Sequence, residues 1–193
     1  MLYDSLSFLA EQVNNYFKTT DGNSSISADF TQLKNIAQIP EDKLAGLNHV
    51  FLTLVNISEE LTLKNQPNLV RPGDGAIYRN APINLNLYVL FTCVNDSYPK
   101  ALQYLSHIIK FFQGTNTFTK DNGPVIKNGQ DNFRMMLELY PLTFEQANGL
   151  WSTLGGKQHP HILYRVRLVE LLRNDGTEGR AVIKKIDLKE KLR

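Results

Sequence analysis

The stretch from Ile83 to Gly114, INLNLYVLFTCVNDSYPKALQYLSHIIKFFQG, constrains the fold more than any other part of the chain. Leu85, Leu87, Val89, Phe91 and Cys93 alternate with Asn84, Asn86, Tyr88, Leu90 and Thr92, a period of two that projects one apolar face and predicts a strand over Asn84 to Val94. The opposite face starts polar and turns apolar from Tyr88 onward. That half is therefore expected to be covered on both sides or to lie at a subunit contact. Asp96 and Ser97 can cap the element that follows, and Pro99 falls in a first helical turn, where the missing N–H costs nothing. Ala101, Leu102, Leu105, Ile108, Ile109 and Phe112 then recur at spacings of three and four, and Gly114 is read as the stop of an amphipathic helix.

The rest of the chain reads as more pieces of one half-sheet, half-helix layer. Leu2, Leu6, Leu9, Val13 and Phe17 predict an opening helix, with Asp4 or Ser5 as its cap. From Thr19 to Gly46 the pattern lapses into a polar connection with a short strand near Ile26 to Phe30, and its length suggests an interaction role. His49 to Ile57, apolar on both faces, predicts a strand central in the sheet. Ser58 to Pro82, with Pro67, Pro72, Gly73, Gly75 and Pro82, reads as an extended excursion. Asn122-Gly123 or Asn128-Gly129 can tip a hairpin that leads into a strand over Phe133 to Tyr140. Thr143-Phe-Glu-Gln146 is a capping box, followed by a helix with Ala147, Leu150, Trp151 and Leu154 on its apolar face and Gly155-Gly156 at its end. His161 to Leu172 is the last core strand, with Ile162, Tyr164, Val166 and Leu168 inside and Arg165 and Arg167 outside.

These elements lack the strict strand–helix alternation of a doubly wound fold. They predict an α+β single domain, with a mixed or mostly antiparallel sheet and about three helices packed on it. At 193 residues, 42% hydrophobic and 21% charged, the chain has the composition of a globular protein with one core. No run approaches the roughly 18 apolar residues of a membrane span. Asp4 and the lack of a cationic start argue against a secretory signal, so synthesis and assembly are expected in the cytoplasm, without direct membrane insertion. The net charge is +2, yet Arg180 to Arg193 alone carries +4, which leaves −2 on the other 179 residues. A nucleic-acid-binding body needs a basic face with interleaved aromatics, so no nucleic acid is expected as a partner.

The chemistry-bearing residues do not assemble into a catalytic constellation. Cys93, the single cysteine, sits mid-strand as a small buried hydrophobe rather than a nucleophile. Gly149-Leu-Trp-Ser-Thr-Leu-Gly155-Gly156-Lys157 is glycine-rich before a lysine but follows a helix, so it reads as a helix stop and not as a phosphate loop. His159 and His161 lie two apart at a strand entrance without an acid or thiol shell, which predicts surface imidazoles and no metal. Glu59 and Glu60 are adjacent on an extended segment and face opposite ways. Asn56-Ile-Ser58 matches a glycosylation acceptor, which has no meaning without a secretion route. The expectation is a non-enzyme with no catalytic residues and no cofactor.

Four blocks carry a resemblance to a known family: LVNISEELTLKN (Leu54 to Asn65), APINLNLYVLFTCV (Ala81 to Val94), ALQYLSHIIKFFQGTNTF (Ala101 to Phe118) and LTFEQANGLWSTLGGKQHPHILYRVRLV (Leu142 to Val169). In order and spacing they resemble the N-terminal domain family of tail-terminator, or cap, proteins of extracellular contractile injection systems, which are phage-tail-like particles. FFQG and LWSTLGGK are the most specific parts. A tyrosine and a serine common in that family near Gln158 and His161 are replaced here by Gln-His-Pro-His. The resemblance spans residues 1 to 172 and implies a homo-hexameric ring that closes the tube and sheath at the end distal to the baseplate and limits their length. Sheath and inner-tube subunits are then its partners, in a particle either released or membrane-anchored. The alternatives are an adaptor or baseplate subunit of the same machine, or an enzyme built on His159, His161 and Glu59 or Glu60.

Residues 173–193 form a basic C-terminal extension beyond that 1–172 domain. Val182, Lys184, Ile186 and Leu188 alternate with Ile183, Lys185, Asp187 and Lys189, so Arg180 to Lys189 can form a strand with an apolar margin. Its three fates are a disordered tail, an added strand of its own sheet, or an arm that pairs with a neighbouring subunit. The apolar alternation favours the arm, with Val182, Ile183, Lys184, Ile186 and Leu188 as partner-binding residues.

Overall fold

The alternation that begins at Ile83 becomes strand β5, Ile83–Val94, and the helix after it becomes α3, Tyr98–Gly114. The computed structural model describes residues 2–20, 29–60, 69–70, 77–78, 83–119, 121–122 and 134–171, with the backbone alone at 69–70, 77–78 and 168–171. The other elements are α1 Leu2–Thr20, β1 Thr31–Leu33, a 3-10 turn at Ile36–Gln38, α2 Glu41–Leu44, β2 His49–Glu59, β3 Leu69–Val70, β4 Ile77–Tyr78, β6 Thr117–Thr119, β7 Arg134–Leu139, α4 Phe144–Thr153 and β8 His161–Leu171. Six strands make one mixed sheet in the order β1-β2-β5-β8-β7-β6, while β3 and β4 form a separate two-stranded ribbon. Only β1 with β2 is parallel; the other pairings are antiparallel. The architecture is the expected α+β single domain, with the one-turn α2 added to the three longer helices.

β5 is paired along most of its length on both sides, with Leu52 opposite Phe91 on β2 and Ile162 opposite Phe91 on β8. Its first face carries the main core. Leu87, Val89, Phe91 and Cys93 join Val50 and Leu52 of β2, Tyr164 and Val166 of β8, and Met135 and Leu137 of β7, all buried. Helices α1 and α3 cover this face. Leu6, Leu9, Val13 and Phe17 of α1 and Ala101, Ile108 and Phe112 of α3 enter the same cluster, as their spacing predicts. Aromatic rings lock the two helices together: Tyr16 stacks at 5.1 Å on Phe111, and Phe17 meets Tyr104 edge-on at 5.8 Å.

Several local expectations change. Asp4 and Ser5 lie inside the first turn of α1 and do not precede it. Of the strand expected near Ile26 to Phe30, residues 21–28 lie outside the described residues, and the strand seen is Thr31–Leu33. Ser97 is the N-cap of α3 but makes no side-chain cap bond; Asp96 Oδ1 instead accepts from Gly46 N–H at 3.0 Å, tying the connection to the end of β5. Gly114 ends α3 without a left-handed turn, and Thr115 N–H closes the helix on Phe111 O. Gly155 and Gly156, with φ of 112° and 85°, do supply the left-handed stop expected after α4. β2 is interior, with the short β1 outside it. A bulge between Leu54 and Asn56 shifts its register, so Ile57 lies opposite Leu87 and leaves the face that strict alternation assigns it. The hairpin expected after Gly114 is present as β6 and β7; of the expected tips, Asn122 is described, and Gly123, Asn128 and Gly129 lie outside the described residues.

Depth of burial separates two positions that the sequence patterns both assign to apolar faces, Phe91 by strand alternation and Ile109 by helical spacing. Phe91 is fully buried between Phe112 and Tyr164, whereas Ile109 is 40% exposed. Phe91→Ala is expected to lower stability by about 3–5 kcal/mol, and Ile109→Ala by less than about 1 kcal/mol. Urea denaturation midpoints measure both, and equal losses would contradict this division of the core.

Candidate functional site

The second face of β5 is built by α4 and by the connection after β1. Leu90 and Leu163 lie side by side on β5 and β8, and Trp151 of α4 covers them, all three buried. The capping box sets where α4 begins: Gln146 N–H donates to Thr143 Oγ1 at 3.3 Å, and Thr143 N–H donates to Gln146 Oε1 at 3.0 Å. From the adjoining end of the sheet, Phe51 and Val94 gather Ile36, Ile39, Leu44 and Leu47 of the connection. Of the two expectations for this face of β5, coverage within the subunit is the one realised. Lys157 Nζ meets Glu41 Oε1 at 2.6 Å and links the exit of α4 to α2. Both side chains are well exposed, so the pair orients the connection more than it stabilises it. Beneath it lies a cleft of about 210 Å³ lined by Ile36, Ile39, Leu44, Trp151, Leu154 and His159.

The two histidines are structural parts of this layer and not surface imidazoles. His161 Nδ1 lies 2.8 Å from His159 O, which can only accept, so the proton sits on Nδ1. The Trp151 indole N–H points at this ring, 3.2 Å from Nδ1 and 3.4 Å from Nε2, and with Nδ1 protonated only Nε2 can accept it. The His159 ring packs 5.9 Å from Trp151, and burial, reinforced by Lys157 and opposed by Glu41, holds its pKa below the usual 6.5. Among the described residues no three His, Cys, Asp or Glu side chains group as a metal site.

The remaining sequence candidates separate in space. Cys93 is buried, and desolvation pushes its thiol up to about 12, far from a nucleophile's range. Glu60 N–H donates to Asn84 O and its carboxylate accepts from Asn86 Nδ2, while Glu59 is exposed at the end of β2. Gly155 and Gly156 follow α4, so the glycine-rich stretch ends a helix instead of opening one. Asn56 lies at the β2 bulge, its Oδ1 accepting from Ile57 N–H. Val182, Ile183, Lys184, Ile186 and Leu188 lie outside the described residues.

Three surface features escape a reading of residues alone. The register of β7 on β8 sets Glu138 opposite Arg165, and one carboxylate oxygen accepts from both Arg165 and Arg167. On α3, Tyr98, Leu102 and Ile109 are 64%, 40% and 40% exposed, on the flank turned away from Tyr104 and Phe111, which face α1. Phe144, at 95%, and Leu139, at 56%, border a cleft of about 270 Å³ at the start of α4. The periodicity that identified α3 assigned Leu102 and Ile109 to its buried face, because spacing alone does not reveal how wide the covered stripe is. Such features suit docking and offer no arrangement for bond-making chemistry.

Residues 6–185 match the family described as the Pvc16 N-terminal domain, a span that takes in the first part of the basic segment from residue 173. Solved structures that share the fold include two terminators. One is the sheath/tube terminator, in the extended state, of the extracellular contractile injection system PVC: TM-score 0.61, 16% identity, 94% of this chain and 63% of that one. The other is the tube-terminating cap of the anti-feeding prophage AFP: TM-score 0.58, 16% identity, 92% of this chain and 60% of that one. This chain thus spans about six tenths of the length of each. No curated protein matches it.

The Glu138 cluster carries a pH signature. The hydrogen bond from Arg165, helped by Arg167, holds the Glu138 carboxyl below its ordinary 4.5, so the unfolded chain binds this proton more readily than the folded one. The stabilisation is therefore complete above pH 4.5 and is lost as pH falls through the folded-state value. Glu138 is 34% exposed, which limits the effect. Glu138→Gln is expected to cost up to about 1 kcal/mol at neutral pH, with the difference closing as the solution is acidified. Denaturation of both proteins across pH measures this, and a difference that stays constant in acid would contradict it.

Proposed function

This chain belongs to the Pvc16 N-terminal domain family, and from that premise we propose that it is a structural subunit of the cap that terminates the tube and sheath of a contractile injection particle. The family match over residues 6–185 carries the reading. The shared fold with two solved terminators supports it. Six copies form a ring at the end distal to the baseplate, contact the last sheath and inner-tube subunits, and stop both from growing. A ring seated on a sixfold tube needs matching symmetry, which favours six. Because the second face of β5 is already covered, the exposed apolar positions on α3 and around Phe144 are among the surfaces that the described residues offer to neighbours. The role is structural rather than catalytic, and assembly takes place in the cytoplasm. No helix among the described residues is long and apolar enough to cross a membrane.

Within this proposal residues 1–172 are the terminator-like domain and residues 173–193 a basic extension that works as an arm. Its lysines favour an acidic partner and make the contact salt-sensitive.

Three experiments test the reading. Native mass spectrometry of the subunit, alone and released from particles, is expected to show six copies, and labelling in electron micrographs should mark the end opposite the baseplate. A monomer or dimer released from intact particles would remove the ring, and a label at the baseplate would assign an adaptor role instead. Truncation after Asn174 is expected to leave the melting curve unchanged while particles lose caps or vary in length. Normal caps and lengths would eliminate the arm, and a large drop in melting temperature would place the segment in the protein's own sheet.

A further inference from the structure

Both edges of the six-stranded sheet are met by an asparagine side chain. On β1, Val50 N–H donates to Phe30 O and Lys34 N–H donates to Leu52 O. Strand alternation then turns the backbone of Phe30, Gln32 and Lys34 toward β2 and that of Thr31 and Leu33 outward. An outward N–H and C=O are where a further strand attaches. At Thr31 that place is taken: Thr31 N–H donates to Asn14 Oδ1 at 2.6 Å, and Asn14 Nδ2 donates to Thr31 O at 3.1 Å. On β6, Leu137 N–H donates to Asn116 O, which turns Asn116 and Phe118 toward β7 and leaves Thr117 and Thr119 facing outward. Thr119 N–H donates to Asn122 Oδ1 at 2.6 Å, and Asn122 Nδ2 reaches Thr117 O at 3.5 Å.

A carboxamide carries the donor and the acceptor of a peptide group, so each asparagine offers the edge what a neighbouring strand would. Asn122 is three residues from Thr119, and by itself it would be an ordinary turn cap. Asn14 has no such local explanation. It stands seventeen residues from Thr31, is only 7% exposed, and occupies a helix face shared with Ala10, Val13 and Phe17. A polar side chain buried there is offset by this two-bond contact with the edge backbone.

We propose that Asn14 and Asn122 stand in for the strand that no described residue supplies at each end of the sheet and keep it from extending into a second molecule. Copies of this chain then meet through side-chain faces and not through a continuous intermolecular sheet. The closure is independent of the cap reading, since it acts within one subunit. It also means that an extension strand at residues 180–189 has its acceptor elsewhere than on the described edges of another copy.

The test uses the full chain with Asn14→Ala, Asn122→Ala and both together. Backbone hydrogen exchange at Thr31 and Thr119 is expected to quicken by about fivefold or more in the respective variants, as each amide loses its acceptor. Sedimentation velocity of the double variant should show mass rising with concentration beyond the parent's value. Asn122 is exposed, so Asn122→Ala alone carries both readings if Asn14→Ala compromises the fold. Unchanged exchange, or faster exchange with a mass that stays at the parent's value, overturns the proposal.

Discussion

The structure depends on one strand that has no solvent face for most of its length. From Leu87 to Thr92, β5 is paired on both sides, and from Leu87 to Val94 it is, Tyr88 apart, buried on both faces. Its side chains therefore demand two separate covers. Phe91 and its neighbours recruit α1 and α3, and Leu90 recruits Trp151. Burying side chains of that size contributes about 1.5–3 kcal/mol each. That is enough for the position of every other layer to follow from satisfying this strand, and it places the helices on opposite sides of a sheet only six strands wide.

The second cover is the more composite one. α4 is only ten residues long and buries a single residue fully, Trp151. A helix of that length is marginal on its own, so its capping box, its glycine stop and the docking of its one large ring act together. His161 engages the indole N–H, the His159 ring flanks it, and the Lys157–Glu41 pair draws the connection across the remaining gap. The residues with most apparent chemical potential, two histidines and a lysine–glutamate pair, are thus used to assemble a packing layer.

That use of polar groups fits the structural role we propose. Near Glu138 one carboxylate is shared by two guanidiniums, and the exposed apolar positions lie on helices and towards strand ends rather than in an enclosed pocket. A part of a larger assembly needs faces that stay soluble alone and bury on contact, with limited patches instead of a broad apolar sheet. Sheet edges occupied at Thr31 and Thr119 serve the same end, because an unguarded edge is a template for pairing with another extended chain.

Much of the fold was legible in the residues. The two-residue alternation of β5, the three-four spacing of α1 and α3 and the Thr143–Gln146 box each determined an element, because those signals arise from neighbours in sequence and from the fixed geometry of strands and helices. The order of family-like blocks determined the family by the same local means. Tertiary structure alone decided what depends on residues distant in sequence. It set the β7–β8 register that joins Glu138 to Arg165, and the bulge at Leu54 and Asn56 that moved Ile57 to the other face. It also set the width of the covered stripe on α3, which left Leu102 and Ile109 exposed, and the conversion of His161 from a surface imidazole into the partner of Trp151. Asn14 is the clearest case: in sequence it is one polar residue on an apolar helix face, and only the approach of β1, seventeen residues away along the chain, gives its amide a peptide group to bind.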